Sequence, residues 1–216
     1  MEQIITEIKT VKGSRKRQVY INDSLFCSLY RLELRELGLE EGMELTSELQ
    51  TELTKLLVQR ARRRALNLLV AKDRSKRELA DKLLQDGYPE QVATDAVEFA
   101  EGYHYIDDLR YTMKQIRSMQ EEKSQRYIRK KLQEKGIDRD IMEEAFEAVC
   151  EEREEEMGEE YEPAELTAIR KQVRRKVTQP DMLTPELAQK LAASLYQKGF
   201  EMNYIRQVLR QVEDME

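Results

Sequence analysis

Leu79-x3-Leu83-x3-Gly87-Tyr88, Ile128-x3-Leu132-x3-Gly136-Ile137 and Leu191-x3-Leu195-x3-Gly199-Phe200 superpose without gaps in a chain of 216 residues. Beyond each glycine, apolar or aromatic residues return at plus five (Val92, Ile141, Tyr204), plus ten (Val97, Phe146, Leu209) and plus thirteen (Ala100, Val149, Val212). The pattern reads as a helix with apolar residues four apart, a glycine in the left-handed C-terminal conformation, an apolar residue folded back over the helix end, and a second amphipathic helix. One further helix precedes each pair, over about 47–72, 109–122 and 164–178 by apolar periodicity. The fold class is therefore mainly α: three tandem three-helix repeats, expected to stack as an elongated array because such small units bury little surface alone.

Working outward, the anchoring glycines are 49 and 63 residues apart, and the longer interval holds the run Glu151–Glu162, with eight glutamates and one arginine. That run reads as a solvated linker or a helix extension. The expected divisions are 47–107, 108–152 and 163–216 for the repeats, with 153–162 as acidic linker and 1–46 as an N-terminal element. In the last of these, Ile4–Val11 and Gln18–Ile21 are β-branched and roughly alternating around Lys12-Gly13-Ser14-Arg15, which predicts a β-hairpin. Leu25–Leu29 reads as a third strand or an extended lead-in, and Tyr30–Leu37 as a short helix closed by Gly38. Ser47-x-x-Gln50 and Ser75-x-x-Glu78 have capping-box form, and Pro89 suits the first position of a helix.

Composition agrees. Charged residues are 37% of the chain, against roughly 25% in ordinary globular domains, so the core must be thin. With 8 Gly and 4 Pro, collagen-like and low-complexity readings fail. No window approaches the roughly 18 apolar residues of a membrane span, and the start resembles no secretory signal, which predicts a soluble, cytoplasmic protein without a membrane. Cys27 and Cys150 lie far apart, and His104 is the only histidine, so the usual zinc sets are absent; phosphate-loop, dinucleotide and nucleophile-elbow motifs are absent too. The expectation is no enzyme, no metal and no cofactor.

The net charge of -6 hides segments of opposite sign. Lys55, Arg60, Arg62, Arg63, Arg64, Lys72, Arg74, Lys76 and Arg77 form a cluster containing one acid, Asp73, with Lys82 just beyond. Lys123, Arg126, Arg129, Lys130 and Lys131 form a second, and Arg170, Lys171, Arg174, Arg175 and Lys176 a third, both free of acid. Arg77 and Arg126 stand at the same distance from their glycines, as do Lys82 and Lys131. One cluster per repeat points to phosphates or an acidic protein surface rather than mere solvation. Asp107 and Asp108 lack a third acidic ligand and precede a helical pattern, so capping is preferred to catalysis. Tyr103-His104-Tyr105 reads as packing in a seam between helices in preference to stacking on a base.

Tyr105, Asp107, Asp108 and Arg110, flanked by the first two leucine-glycine segments, resemble the RecX family of RecA regulators over about residues 60 to 216. The resemblance implies a monomeric, non-enzymatic protein that binds RecA or RecA filaments on single-stranded DNA. There it would inhibit recombinase, ATPase and co-protease activity in DNA repair and the SOS response. The basic residues named above, Lys55 excepted, are then candidates for RecA or DNA contact, and Tyr105, Asp107, Asp108 and Arg110 a structural signature. The alternative is a protein that binds single- or double-stranded DNA directly.

Overall fold

A computed structural model describes residues 2–177 and 183–213 and divides the chain into two compact units, before and after the Asp107–Asp108 bond. In the first unit, β1 (Ile5–Thr10), β2 (Lys16–Ile21) and β3 (Ser24–Tyr30) form an antiparallel meander. Asn22 and Asp23 have φ of 47° and 64°, the paired left-handed conformation whose twist matches a two-residue hairpin. That turn makes Leu25–Leu29 a paired strand, which the sequence left open. Short α1 (Arg31–Glu36) follows.

The first repeat consists of α2 (Ser47–Ala71), α3 (Lys76–Gln85) and α4 (Glu90–Gly102). Thr46, not Ser47, caps α2, accepting the Leu49 N–H at 3.3 Å. The Ser75 capping box forms as expected: the Glu78 N–H donates to Ser75 Oγ and the Ser75 N–H to Glu78 Oε2. Pro89 takes the cap position of α4 rather than its first turn. Ile5, Val19, Cys27 and Leu29 of the sheet share one core with Leu53, Leu57, Leu79 and Leu83. A hairpin is marginal alone, and here burial against the helices stabilises it at about 1.5–3 kcal/mol for each buried aliphatic side chain. Residues 1–46 thus belong to the same compact unit as the first repeat.

The second unit holds α5 (Asp108–Met119), α6 (Gln125–Glu134), α7 (Arg139–Met157), a single 3-10 turn at Gly158–Glu160, then α8 (Ala164–Arg174), α9 (Pro185–Gln197) and α10 (Met202–Glu213). α7 carries the first part of the glutamate run as a helix extension. The expected end of the third leading helix, position 178, lies outside the described residues. Two cores form, one around Ile116, Ile128, Leu132 and Val149, the other around Ile169, Val173, Leu195 and Ile205.

All three anchoring glycines have left-handed φ, 87°, 74° and 89°. In each case the next residue folds back: the Tyr88, Ile137 and Phe200 N–H groups donate to the carbonyls of Leu83, Leu132 and Leu195 at 3.1–3.2 Å. The same closure ends α4 without glycine. The Tyr105 N–H donates to the Ala100 carbonyl at 2.8 Å, and His104 takes the left-handed position with φ 57°. The helix runs through Gly102, so the one glycine nearby is not the one used.

Candidate functional site

The three basic clusters divide into engaged and outward-facing cations. Arg60, on α2, reaches the end of β3: it pairs with Glu33, donates to the Ser28 carbonyl and, at 3.2 Å, to Tyr88 Oη, and stacks over the Tyr30 and Tyr88 rings. Burial opposes its charge, but the Glu33 and Tyr88 hydrogen bonds outweigh that and hold its pKa above the ordinary value. Arg62 grips Asp95 with two bonds, 2.8 and 3.0 Å, and lies 4.8 Å from the Phe99 ring centroid. Arg64 pairs with Asp86, and Lys76 with Glu101. Arg74 is half-buried, its Nε without an acceptor among the described residues. Lys82 reaches Gln85 at 3.4 Å.

In the second repeat, Arg129 is held between Glu143 at 2.5 Å and the Phe146 ring, and Lys131 pairs with Glu134. In the third, Arg170 pairs with Glu162, Lys171 with Glu121 and Arg175 with Glu122. The Glu121-Glu122 turn after α5 therefore neutralises part of the third cluster. Those partners lie 50 and 53 residues away in sequence, beyond the reach of counting charges within a segment.

Arg63, Lys72, Arg77, Arg126, Lys130, Arg174 and Lys176 remain. They are exposed and make no ion pair among the described residues. Lys123 lies over the exposed Tyr127 ring at 5.5 Å. Arg77 and Arg126 each occupy the second position of a helix capped by a buried serine, Ser75 for α3 and Ser124 for α6. Repeated capping chemistry thus places the same cation on the same face of each helix. The glycine turn of α9 fits against α6, where Ser124 Oγ donates to the Lys198 carbonyl at 2.7 Å.

Asp108 is the buried first residue of α5, and exposed Asp107 precedes it. Among the described residues no three His, Cys, Asp or Glu side chains are placed to hold a metal ion. Arg110 is exposed and Tyr105 is 53% exposed. The Tyr103-His104-Tyr105 expectation is corrected: Tyr103 is 64% exposed, and the two rings stack on each other at 6.1 Å outside the core. The left-handed turn at His104 directs them outward, and Ile106 is the residue buried instead. Burial pushes the Cys27 thiol up to about 12, leaving it inert as a nucleophile. No helix among the described residues is long and apolar enough to cross a membrane.

One basic segment was missed in the sequence. Lys9, Lys12, Arg15, Lys16 and Arg17 lie on the β1–β2 hairpin, and no acid occurs between Ile8 and Asn22. The absence of acid was legible; the turn chemistry of the hairpin masked it.

Comparison with known proteins matches residues 61–99 to the RecX first three-helix domain, 107–145 to the second and 164–209 to the third. Together these matches span more than half of the chain. The chain belongs to the RecX family. Its relatives include the regulatory protein RecX of Caldanaerobacter subterraneus subsp. tengcongensis, 29% identical over 208 residues and covering 95% of this chain and 98% of the relative. The RecX of Clostridium botulinum strain Eklund 17B is 25% identical over 98% of this chain and 97% of its own. Two crystal structures share the fold. One of regulatory protein RecX has a TM-score of 0.58 at 22% identity over 95% of this chain and 98% of that one. RecX from Lactobacillus salivarius also scores 0.58, at 23% identity over 74% and 98%.

Proposed function

We propose that this RecX-family chain is a non-enzymatic, cytoplasmic regulator that binds RecA or RecA–single-stranded-DNA filaments and inhibits their ATPase, recombinase and co-protease activities in DNA repair and the SOS response. The observation that carries the reading is the equivalent placement of Arg77 and Arg126, exposed and without carboxylate partners among the described residues, on two repeats of a RecX-type domain set. Repeated cations engage a periodic polyanionic surface through several weak contacts whose affinities add by linkage. The remaining unpaired candidates, Arg63, Lys72, Lys123, Lys130, Arg174 and Lys176, extend that contact. Arg60, Arg62, Arg64, Lys76, Arg129, Lys131, Arg170, Lys171 and Arg175 act mainly through their internal partners.

The test is RecA ATPase on single-stranded DNA titrated with the protein as a monomer. Inhibition at ratios below one per RecA is expected, weakened in an Arg77→Glu, Arg126→Glu double variant. No effect at any ratio sinks the proposal. The second reading, direct DNA binding without RecA, is favoured by the same unpaired cations. It predicts saturable binding to naked DNA with a steep fall in affinity as salt rises, whereas a filament regulator prefers RecA-coated DNA at physiological salt.

A further inference from the structure

The N-terminal sheet buries one face and presents the other. Cross-strand pairing places Lys9 opposite Gln18, Lys16 opposite Tyr30, and Tyr20 between Glu7 and Leu25, so these residues share the outer face, which the turn after α3 covers at the buried Ser28 opposite Gln18. Tyr20 Oη donates to Gln18 Oε1 at 3.4 Å on that face. Leu25 is 50% and Tyr30 41% exposed on this face, while the other side of the sheet shares the core. A groove of about 490 Å³ runs along this face, between the β1–β2 loop and the end of α3.

The electrostatics of the groove are positive. Lys16 donates to the Asp86 carbonyl at 2.8 Å, and its pKa is lowered first by burial and then by Arg60. The nearby acids are committed: Glu33 to Arg60, Asp86 to Arg64, and Glu7 to Lys9 at 3.7 Å. Lys12 and Arg15, at the loop, are exposed and have no ion pair among the described residues.

From this arrangement we infer that the outer sheet face is a binding site for single-stranded nucleic acid, with Tyr20 as a base-stacking platform and Lys12 and Arg15 contacting phosphates. An acidic peptide would be satisfied by the cations alone. The Tyr20 ring beside a glutamine, with cations at the adjoining loop, additionally suits unstacked bases, which pair a π-face with a phosphate at each step. Tyr20 and Tyr30 stand on the order of 14 Å apart, four residues along a strand and one strand across. The site lies outside the three-helix repeats and does not depend on the proposed action on RecA.

The test is fluorescence anisotropy of a labelled twenty-residue oligothymidylate with the full chain and no RecA, across a salt series. A Lys12→Glu, Arg15→Glu variant is expected to weaken binding at least tenfold at low salt and to flatten the slope of log affinity against log salt by about 0.7 per lost phosphate contact. Tyr20→Leu is expected to weaken binding at least fivefold with the slope unchanged, and Tyr20→Phe to retain wild-type affinity. Circular dichroism checks that each variant is folded, and Lys12 and Arg15, being exposed, provide a readout that survives if Tyr20→Leu does not fold. Unchanged affinity in the charge-reversed variant overturns the site. Loss on charge reversal with a folded Tyr20→Leu at full affinity overturns the stacking platform. A glutamate-rich peptide that binds as tightly as the oligonucleotide at the same ionic strength assigns the face to an acidic protein and likewise overturns the proposal.

Discussion

Gly87→Ala tests how the first repeat is fastened to the sheet. At φ 87° a Cβ forces the left-handed region on an ordinary residue, at about 1–2 kcal/mol. The added carbon would also lie 2.7 Å from Ser28 Cβ and closer still to Ser28 Oγ, in a place where the Ser28 N–H already donates to the Gly87 carbonyl at 2.9 Å. Overpacking of that kind adds about 1–3 kcal/mol, and the stiffer unfolded chain returns about 0.4–1. The net cost is about 2–4 kcal/mol, a large share of a typical stability of about 5–15. Gly38→Ala, at φ 63° with no atom within 4 Å of its Cβ, isolates the conformational part and should lose about 0.5–1 kcal/mol. Gly199→Ala, whose Cβ meets Ser124 Oγ at 3.0 Å and Arg126 Cβ at 3.1 Å, should fall between them. Urea unfolding followed by far-ultraviolet circular dichroism gives the three values. If Gly87→Ala costs no more than Gly38→Ala, the close approach of the α3 turn to β3 is wrong; adding Ser28→Gly to Gly87→Ala should recover the steric part only.

Arg60→Ala should cost about 3 kcal/mol, because it strands the poorly exposed Glu33 carboxylate, whereas Arg63→Ala one turn away should fall within about 0.5 kcal/mol of wild type. Thermal melts of the two variants decide it, and equal losses would refute the separation into engaged and outward-facing arginines. Glu165 is buried and accepts the Glu201 N–H at 3.1 Å; burial raises its pKa despite that bond. The folded state therefore holds this proton more tightly than the unfolded chain, and the contribution to stability present at low pH is lost as pH rises through the window above the ordinary value of about 4.3. Melting temperature against pH should show a smaller decline over that window in Glu165→Gln than in wild type, and parallel curves would contradict it. His104→Gly should stabilise by about 0.5–1 kcal/mol by relieving a left-handed non-glycine, measured by the shift of the urea midpoint.

Legibility of the fold followed locality. The leucine-glycine segments announced their own geometry, because a helix end is closed by residues within six positions of one another, as the Leu83–Tyr88, Leu132–Ile137 and Leu195–Phe200 bonds show. The Ser75 box was legible for the same reason, while Ser47 was displaced by Thr46, a shift of one residue between two adequate caps. His104 was not legible, since nothing local distinguishes a histidine held left-handed by its surroundings from one in an ordinary turn.

The candidate site was only half legible. Sequence alone located the cations and the periodicity that repeats Arg77 at Arg126. It could not say that Arg60 would meet Glu33, 27 positions earlier, at the end of β3, or that Lys171 and Arg175 would meet Glu121 and Glu122. It also read the first strands as a separate element, whereas Ile5, Val19 and Leu29 share a core with Leu53 and Leu83. The sequence by itself determined where helices begin, end and repeat, since capping and amphipathic periodicity are short-range. Only the tertiary structure decided which charges remain outward, because an ion pair depends on distance in space, and the chain folds residues dozens of positions apart to within 3 Å.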